Sequence, residues 1–322
     1  MNPDLPQAAR DQQQGIVAPD DIQALCESIL QQAQQVGGGK VADYIPALAC
    51  VEPEQCALTL ATLDGKLYQA GAAQQAFSIQ SVSKLYGLML AMQRVGDELW
   101  QRVQMEPSGQ PFNSIVQLEW EKGIPRNPMI NAGAILVSDV LVSHYSASKN
   151  AVLSLVRQLA GSDDIFADAD VHQSELNHGS RNAALAYLMK SFGNLHSDVG
   201  EVLDHYFWQC ALSMSCEQLA RSFAFLANRG ICPFSGNSIA SHRDTQRINA
   251  LLSTSGMYDQ SGQFAFEVGI PAKSGVGGGI VAIVPDFGVL AAWSPPLNNY
   301  GNSTRGMYMI RELANRLGLS VY

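Results

Sequence analysis

Strand-forming residues in this 322-residue chain gather near its two ends, and most of what lies between them repeats with helical period. Cys56–Thr62 and Lys66–Ala70 read as strands on either side of Asp64-Gly65, a pair that favours a tight hairpin because both residues tolerate positive φ. Strand character returns only at Ile270–Ser274, Gly279–Val284 and Val289–Trp293, with turns at Gly277-Gly278 and Pro285-Asp286. An isolated hairpin buries too little apolar surface to stand alone, so the early pair needs the late strands. The pattern predicts an α+β fold: one antiparallel sheet of about five strands, built from both ends of the chain, with a large all-helical insertion.

Helical stripes flank the predicted strands. Ile22, Leu25, Cys26, Ile29 and Leu30 share one face before Gly37-Gly38-Gly39, and Met307, Ile310, Leu313, Ala314 and Leu317 share another before Gly318. Inside the insertion, Leu185, Leu188, Met189 and Phe192 form a stripe ended by Gly193, and Ser215 with Gln218 makes a capping box ahead of Leu219, Phe223 and Leu226. Residues 1–18, polar and Gln-rich, read as a loose tail. The expected organisation is a sheet subdomain from 19–80 with 265–322, a helical subdomain from 81–264, and an active site at their junction.

Composition narrows the function. Twenty basic against 29 acidic residues give a net charge of −9, which argues against a nucleic-acid partner. No apolar run approaches the roughly 20 residues of a membrane-spanning helix, and the start has no basic stretch followed by an apolar one, so neither a membrane partner nor export is expected. Six cysteines never form C-x-x-C and read as free, mostly buried thiols of a reducing, cytoplasmic protein. Six histidines form no metal-binding pattern; neither a metal nor a cofactor is expected. Charged residues make up 15%, below the usual share of about 25%, which suggests extensive interior or a subunit interface.

The chemistry centres on Phe77-Ser78-Ile79-Gln80-Ser81-Val82-Ser83-Lys84, where Val82, Leu85, Leu88, Met89 and Met92 announce a largely buried helix. Ser81 and Lys84 then lie at i and i+3, with hydroxyl and amine on one face. A serine needs a base, and a lysine becomes one when burial and the helix N-terminus lower its pKa. A second S-x-x-K, Ser146–Lys149, sits in a polar turn that cannot desolvate the amine. Lys273-Ser274-Gly275, ahead of Val276 at the end of a predicted strand, supplies the K-S-G element that accompanies S-x-x-K in acyl enzymes. The N–H after the glycine and that of Ser81 would suit an oxyanion. Gly275–Gly279 is not a dinucleotide loop, because Ile280 takes the last glycine position. The expected S-D-N element is missing; Tyr206, in Tyr206–Cys210, is a candidate proton relay or, equally on spacing, a core aromatic. On spacing, Glu175 also reads as a solvated acid among Asp163, Asp164, Asp168 and Asp170, and Asn131 and Asn182 read as helix caps.

From about Gly39 onward the chain resembles the serine-dependent glutaminases of the β-lactamase-like superfamily, a group of bacterial and animal mitochondrial enzymes. The resemblance rests on Val41–Pro46, Phe77–Lys84, Asn127–Ala134, Ser174-Glu175 with Arg181-Asn182, Tyr206–Cys210, Ser255–Tyr258 and Pro271–Gly279. It implies a β-lactamase/transpeptidase-like fold and hydrolysis of L-glutamine through a γ-glutamyl ester. It implies Ser81 as nucleophile and Lys84 as base, with Tyr258 assisting proton transfer and the Val276 N–H completing an oxyanion hole. Tyr44, Asn131, Glu175, Asn182 and Tyr206 would hold the amino-acid end, and a homodimer or homotetramer is implied. Another S-x-x-K acyl enzyme (β-lactamase, peptidase or esterase) and a non-catalytic amino-acid-binding module remain open at this level.

Overall fold

The computed structural model describes residues 19–109, 111 and 113–322; the predicted N-terminal tail lies outside them. Its strands are β1 (Ala57–Thr62), β2 (Leu67–Gly71), β3 (Phe77–Ser78), β4 (Phe166–Ala167), β5 (Leu212–Met214), β6 (Ala272–Ser274), β7 (Gly279–Val284) and β8 (Gly288–Trp293). Five of them form the expected antiparallel sheet, in the order β2-β1-β8-β7-β6. The early hairpin thus completes its sheet by pairing β1 with β8 in register Ala57↔Trp293 to Thr62↔Gly288.

Alternation explains why β7 and β8 read as nearly continuous apolar runs. Successive side chains point to opposite faces, and both faces are covered. Ile280, Ala282, Leu290 and Ala292, with Leu58 and Leu60 of β1, pack against the helices Pro19–Gln34 and Thr304–Leu317. Val281, Ile283, Val289 and Ala291 turn instead toward the helical block. Within that block, the predicted capping box at Ser215 and Gln218 is formed, with both reciprocal bonds present.

A second sheet, β3-β5-β4, was not expected. Its strands are two or three residues long, too short for a period-two pattern to register. It matters because β3 leads directly into Ser81, and Ile79 N–H donates to Leu212 O at 2.9 Å, fixing the approach to that residue. The Ser146–Lys149 segment also differs from a simple turn. A helix begins at Ser148, and Lys149 lies in its first turn, partly exposed and ion-paired with Asp204 at 2.5 Å.

Candidate active site

Ser81 sits in a single 3-10 turn, Gln80–Ser83, that passes into the helix Lys84–Val95. The residue before it, Gln80, holds φ at +50°, a left-handed conformation that bulky side chains rarely adopt. Lys84 is 2% exposed, and every residue from it to Met92 is buried. Its Nζ donates to Met129 O at 2.9 Å and Asn131 Oδ1 at 2.8 Å. Both acceptors are neutral, so burial dominates and pulls the Lys84 pKa down to about 8, with Cys210 and Glu175 partly opposing it. Two acceptors use both hydrogens of a neutral amine and leave its lone pair uncommitted, one turn from Ser81.

The K-S-G edge packs against this turn. A Cβ on Gly275 would collide with Ile79 O and lie 3.2 Å from Ser81 N; one on Gly277 would collide with Ser78 O. Only glycine allows the two backbones so close. Trp293 of β8 secures the contact, stacking on Phe77 with ring centroids 4.8 Å apart and donating from Nε1 to Gly277 O at 3.0 Å. Lys273 is fully buried, with Nζ bonded to Gly256 O and Ser274 O and lying 4.6 Å from the Tyr258 ring centroid. Burial, then the nearby charge of Lys84, holds its pKa well below the ordinary lysine range. Tyr258 adopts φ +54°. Burial pushes its pKa up to about 12, with the Ser81 and Ser274 side chains pulling it the other way.

A cleft of about 320 Å³ opens over Ser81. Tyr44, Asn131, Glu175, Asn182, Tyr206 and Val276 all line it, although they come from segments far apart in sequence. Tyr258 lines a neighbouring cleft of about 360 Å³ instead, with the Ser81 side chain acting on its phenol electrostatically. Glu175 is 7% exposed, not solvated, and burial raises its pKa to about 7, against a hydrogen bond from Gln80 and the charge of Lys84. Asn131 and Asn182 cap no helix: Asn131 Nδ2 donates to Asn182 Oδ1 at 3.0 Å, while its own Oδ1 receives Lys84. Tyr206 is a 3% exposed core aromatic in the helix Val199–Cys210, as one of its two readings expects, and it also forms part of the cleft wall. Tyr44 stands half exposed at the mouth.

The Glutaminase family model matches residues 39–322. The chain belongs to the glutaminase family. This glutaminase family member is 53% identical over 301 residues to glutaminase 2 of Escherichia coli K12, covering 93% of this chain and 98% of that one. A solved structure of a probable glutaminase superposes with a TM-score of 0.90 at 35% identity, covering 95% of this chain and 99% of the other. A probable glutaminase from Bacillus subtilis, complexed with 6-diazo-5-oxo-L-norleucine, superposes with a TM-score of 0.85 at 29% identity, covering 95% and 97%.

Several residues that shape the glutaminase cleft stand inside segments that carry the family resemblance, yet sequence alone assigns them no role. Asn127, fully buried, accepts from the Met129 and Ile130 N–H groups through Oδ1 and donates to Glu106 O, so it fixes the carbonyl that receives Lys84. Gln80 hydrogen-bonds Glu175, and Cys210 lines the cleft with its thiol pKa pushed up to about 12 by burial. The Asn127-Pro128 pair is a local hint beside that resemblance, since Asn before Pro favours a turn.

Proposed function

We propose that this chain hydrolyses L-glutamine to L-glutamate and ammonia through a γ-glutamyl ester on Ser81. The observation that carries the reading is the buried Lys84 amine, held by two neutral acceptors one turn from Ser81, which lines the cleft. Neutral Lys84 takes the Ser81 proton, and Oγ attacks the side-chain amide carbon. The N–H groups of Ser81 and Val276 receive the resulting oxyanion, a role supported by the close packing of Gly275 on Ser81 N. Collapse delivers the proton to the departing nitrogen, assisted by Tyr258, and ammonia leaves. Water then attacks the ester and surrenders a proton to Lys84, which returns it to Ser81 Oγ as the C–Oγ bond breaks and glutamate leaves. Lys273, Ser274 and Gly275 support this machinery.

The rest of the cleft suits a free amino acid. Glu175 pairs the α-ammonium, and Tyr44, Asn131, Asn182 and Tyr206 offer uncharged donors to the α-carboxylate. The ligand of the Bacillus subtilis relative is an amino acid with a carbonyl at carbon 5, the position of the glutamine amide carbon. The same reading treats 19–80 with 265–322 as a sheet unit and 81–264 as a helical unit, with the cleft between them. A homo-oligomer is part of it too, supported by exposed Val116, Trp120 and Tyr187 on the packed helices Ile115–Trp120 and Ser180–Ser191.

Single-turnover mass spectrometry with glutamine tests the mechanism. The expected result is a transient γ-glutamyl adduct on the Ser81 peptide, lost in Ser81→Ala. Turnover without any adduct under rapid acid quench, or an adduct on Ser146, overturns it.

A further inference from the structure

Behind Tyr258 lies a closed set of polar side chains that the proposed steps do not use. Asn302 is fully buried and far from the cleft wall in sequence. Its Nδ2 donates to Met257 O at 3.2 Å and Gln260 Oε1 at 2.8 Å, one residue before Tyr258 and two after it. A carbonyl oxygen only accepts, so Met257 O fixes which end of the amide faces the turn. Oδ1 must then be the acceptor for Ser274, whose Oγ–H donates to it at 2.6 Å. With its hydrogen committed to Asn302, Ser274 turns only lone pairs toward the nearby Tyr258 phenol, whose pKa its side chain lowers. Asn298 completes the set, donating to Gln260 Oε1 at 2.8 Å and accepting the Asn302 N–H at 3.1 Å. Tyr258 itself has φ +54°, a conformation that persists only where its surroundings impose it.

We propose that Asn302 is a positioning residue for glutamine hydrolysis, holding Tyr258 beside Ser81 by clamping the 257–260 turn and orienting Ser274. The inference rests on the serine-nucleophile reading above and adds a residue that touches no substrate.

The test is a double-mutant cycle in the full chain. Asn302→Ala should lower kcat by roughly 10- to 100-fold, as small misplacements of catalytic groups do, with the KM for glutamine little changed. In a Tyr258→Phe background the same substitution should cost almost nothing further, because its effect is exerted through that phenol. Asn302→Asp, matched in shape but unable to donate to Met257 O, should reproduce the kcat loss and supplies the readings where the alanine variant does not fold. Where Tyr258→Phe leaves no measurable turnover, Ser274→Ala replaces it in the cycle, and the part of the Asn302 effect carried by their shared bond should disappear there. Equal losses in both backgrounds, a loss confined to KM, or full activity in both Asn302 variants overturns the role of Asn302. A Ser81 adduct with additive losses rejects Asn302 alone; absence of the adduct from the wild-type chain rejects the reading beneath it as well.

Discussion

Lys84 Nζ has exchanged its water for two neutral acceptors, Met129 O and Asn131 Oδ1, and its pKa has fallen from an ordinary 10.5 to about 8 because burial outweighs what Glu175 and Cys210 return. Glu175 has moved the other way, to about 7, again through burial. The two shifts have the same consequence for rate. A base must be neutral, which Lys84 becomes above about 8. A partner for the substrate ammonium must be charged, which Glu175 becomes above about 7. Under the proposed mechanism, kcat should therefore rise with pH up to about 8 and level off beyond, while kcat/KM should show a further rise near 7 that saturation with glutamine suppresses. Lys84→Arg should lose roughly 10²- to 10⁴-fold in kcat, since a guanidinium never yields its proton. Ammonia release from pH 6 to 10 checks both; a flat kcat profile, or an active arginine variant, contradicts the assignment of the base.

At the scale of elements, the decisive contact is between the β6 edge and the 3-10 turn of Ser81. It depends on Gly275 and Gly277 lying against Ile79 O and Ser78 O, with the Phe77–Trp293 stack pressing them together. Gly275→Ala places a methyl against backbone that cannot rotate away, so the strand edge must withdraw from Ser81. Activity should fall by roughly 10²-fold while far-ultraviolet dichroism stays native, and Gly37→Ala, where a Cβ meets nothing within 4 Å, should be silent. Wild-type kinetics in the Gly275 variant would show that this approach does not organise the site. The same contact marks how far sequence could be read. Local periods placed the hairpin, the late strands and the capping box, because each is written in neighbouring residues. Glu175 looked like one acid in an acidic run because its burial comes from residues remote in sequence, such as Tyr206 and Gln80. Asn302 was invisible as a support for the same reason, and so was the bond from Asn127 to Glu106 O: they join loops whose pairing leaves no periodic trace.

Across the whole molecule, the surface where the sheet edge meets the helical block gathers buried ionisable groups that folding alone would not favour: Lys84, Lys273 and Glu175. For Lys84 the sign of the cost follows from linkage. Between about 8 and 10.5 the unfolded chain holds a proton that the native lysine has lost, so stability rises with pH across that window and the full penalty stands below it. At about 1.4 kcal/mol per pH unit the penalty at pH 7 is on the order of 3 kcal/mol. Lys84→Met removes it while filling similar space, but strands Met129 O and Asn131 Oδ1, each worth about 1 kcal/mol. The net gain at pH 7 is then on the order of 1 kcal/mol, and the variant should be inactive yet more stable than wild type. Urea unfolding at several pH values gives the sharper check: the advantage should shrink above pH 8 and reverse at about pH 9, inside the window that ends at 10.5, because wild-type lysine sheds its penalty there but still satisfies both carbonyl groups. A stability difference that does not change with pH would show that the Lys84 amine keeps an ordinary pKa in the fold, and with it would go the reason for regarding this lysine as a base.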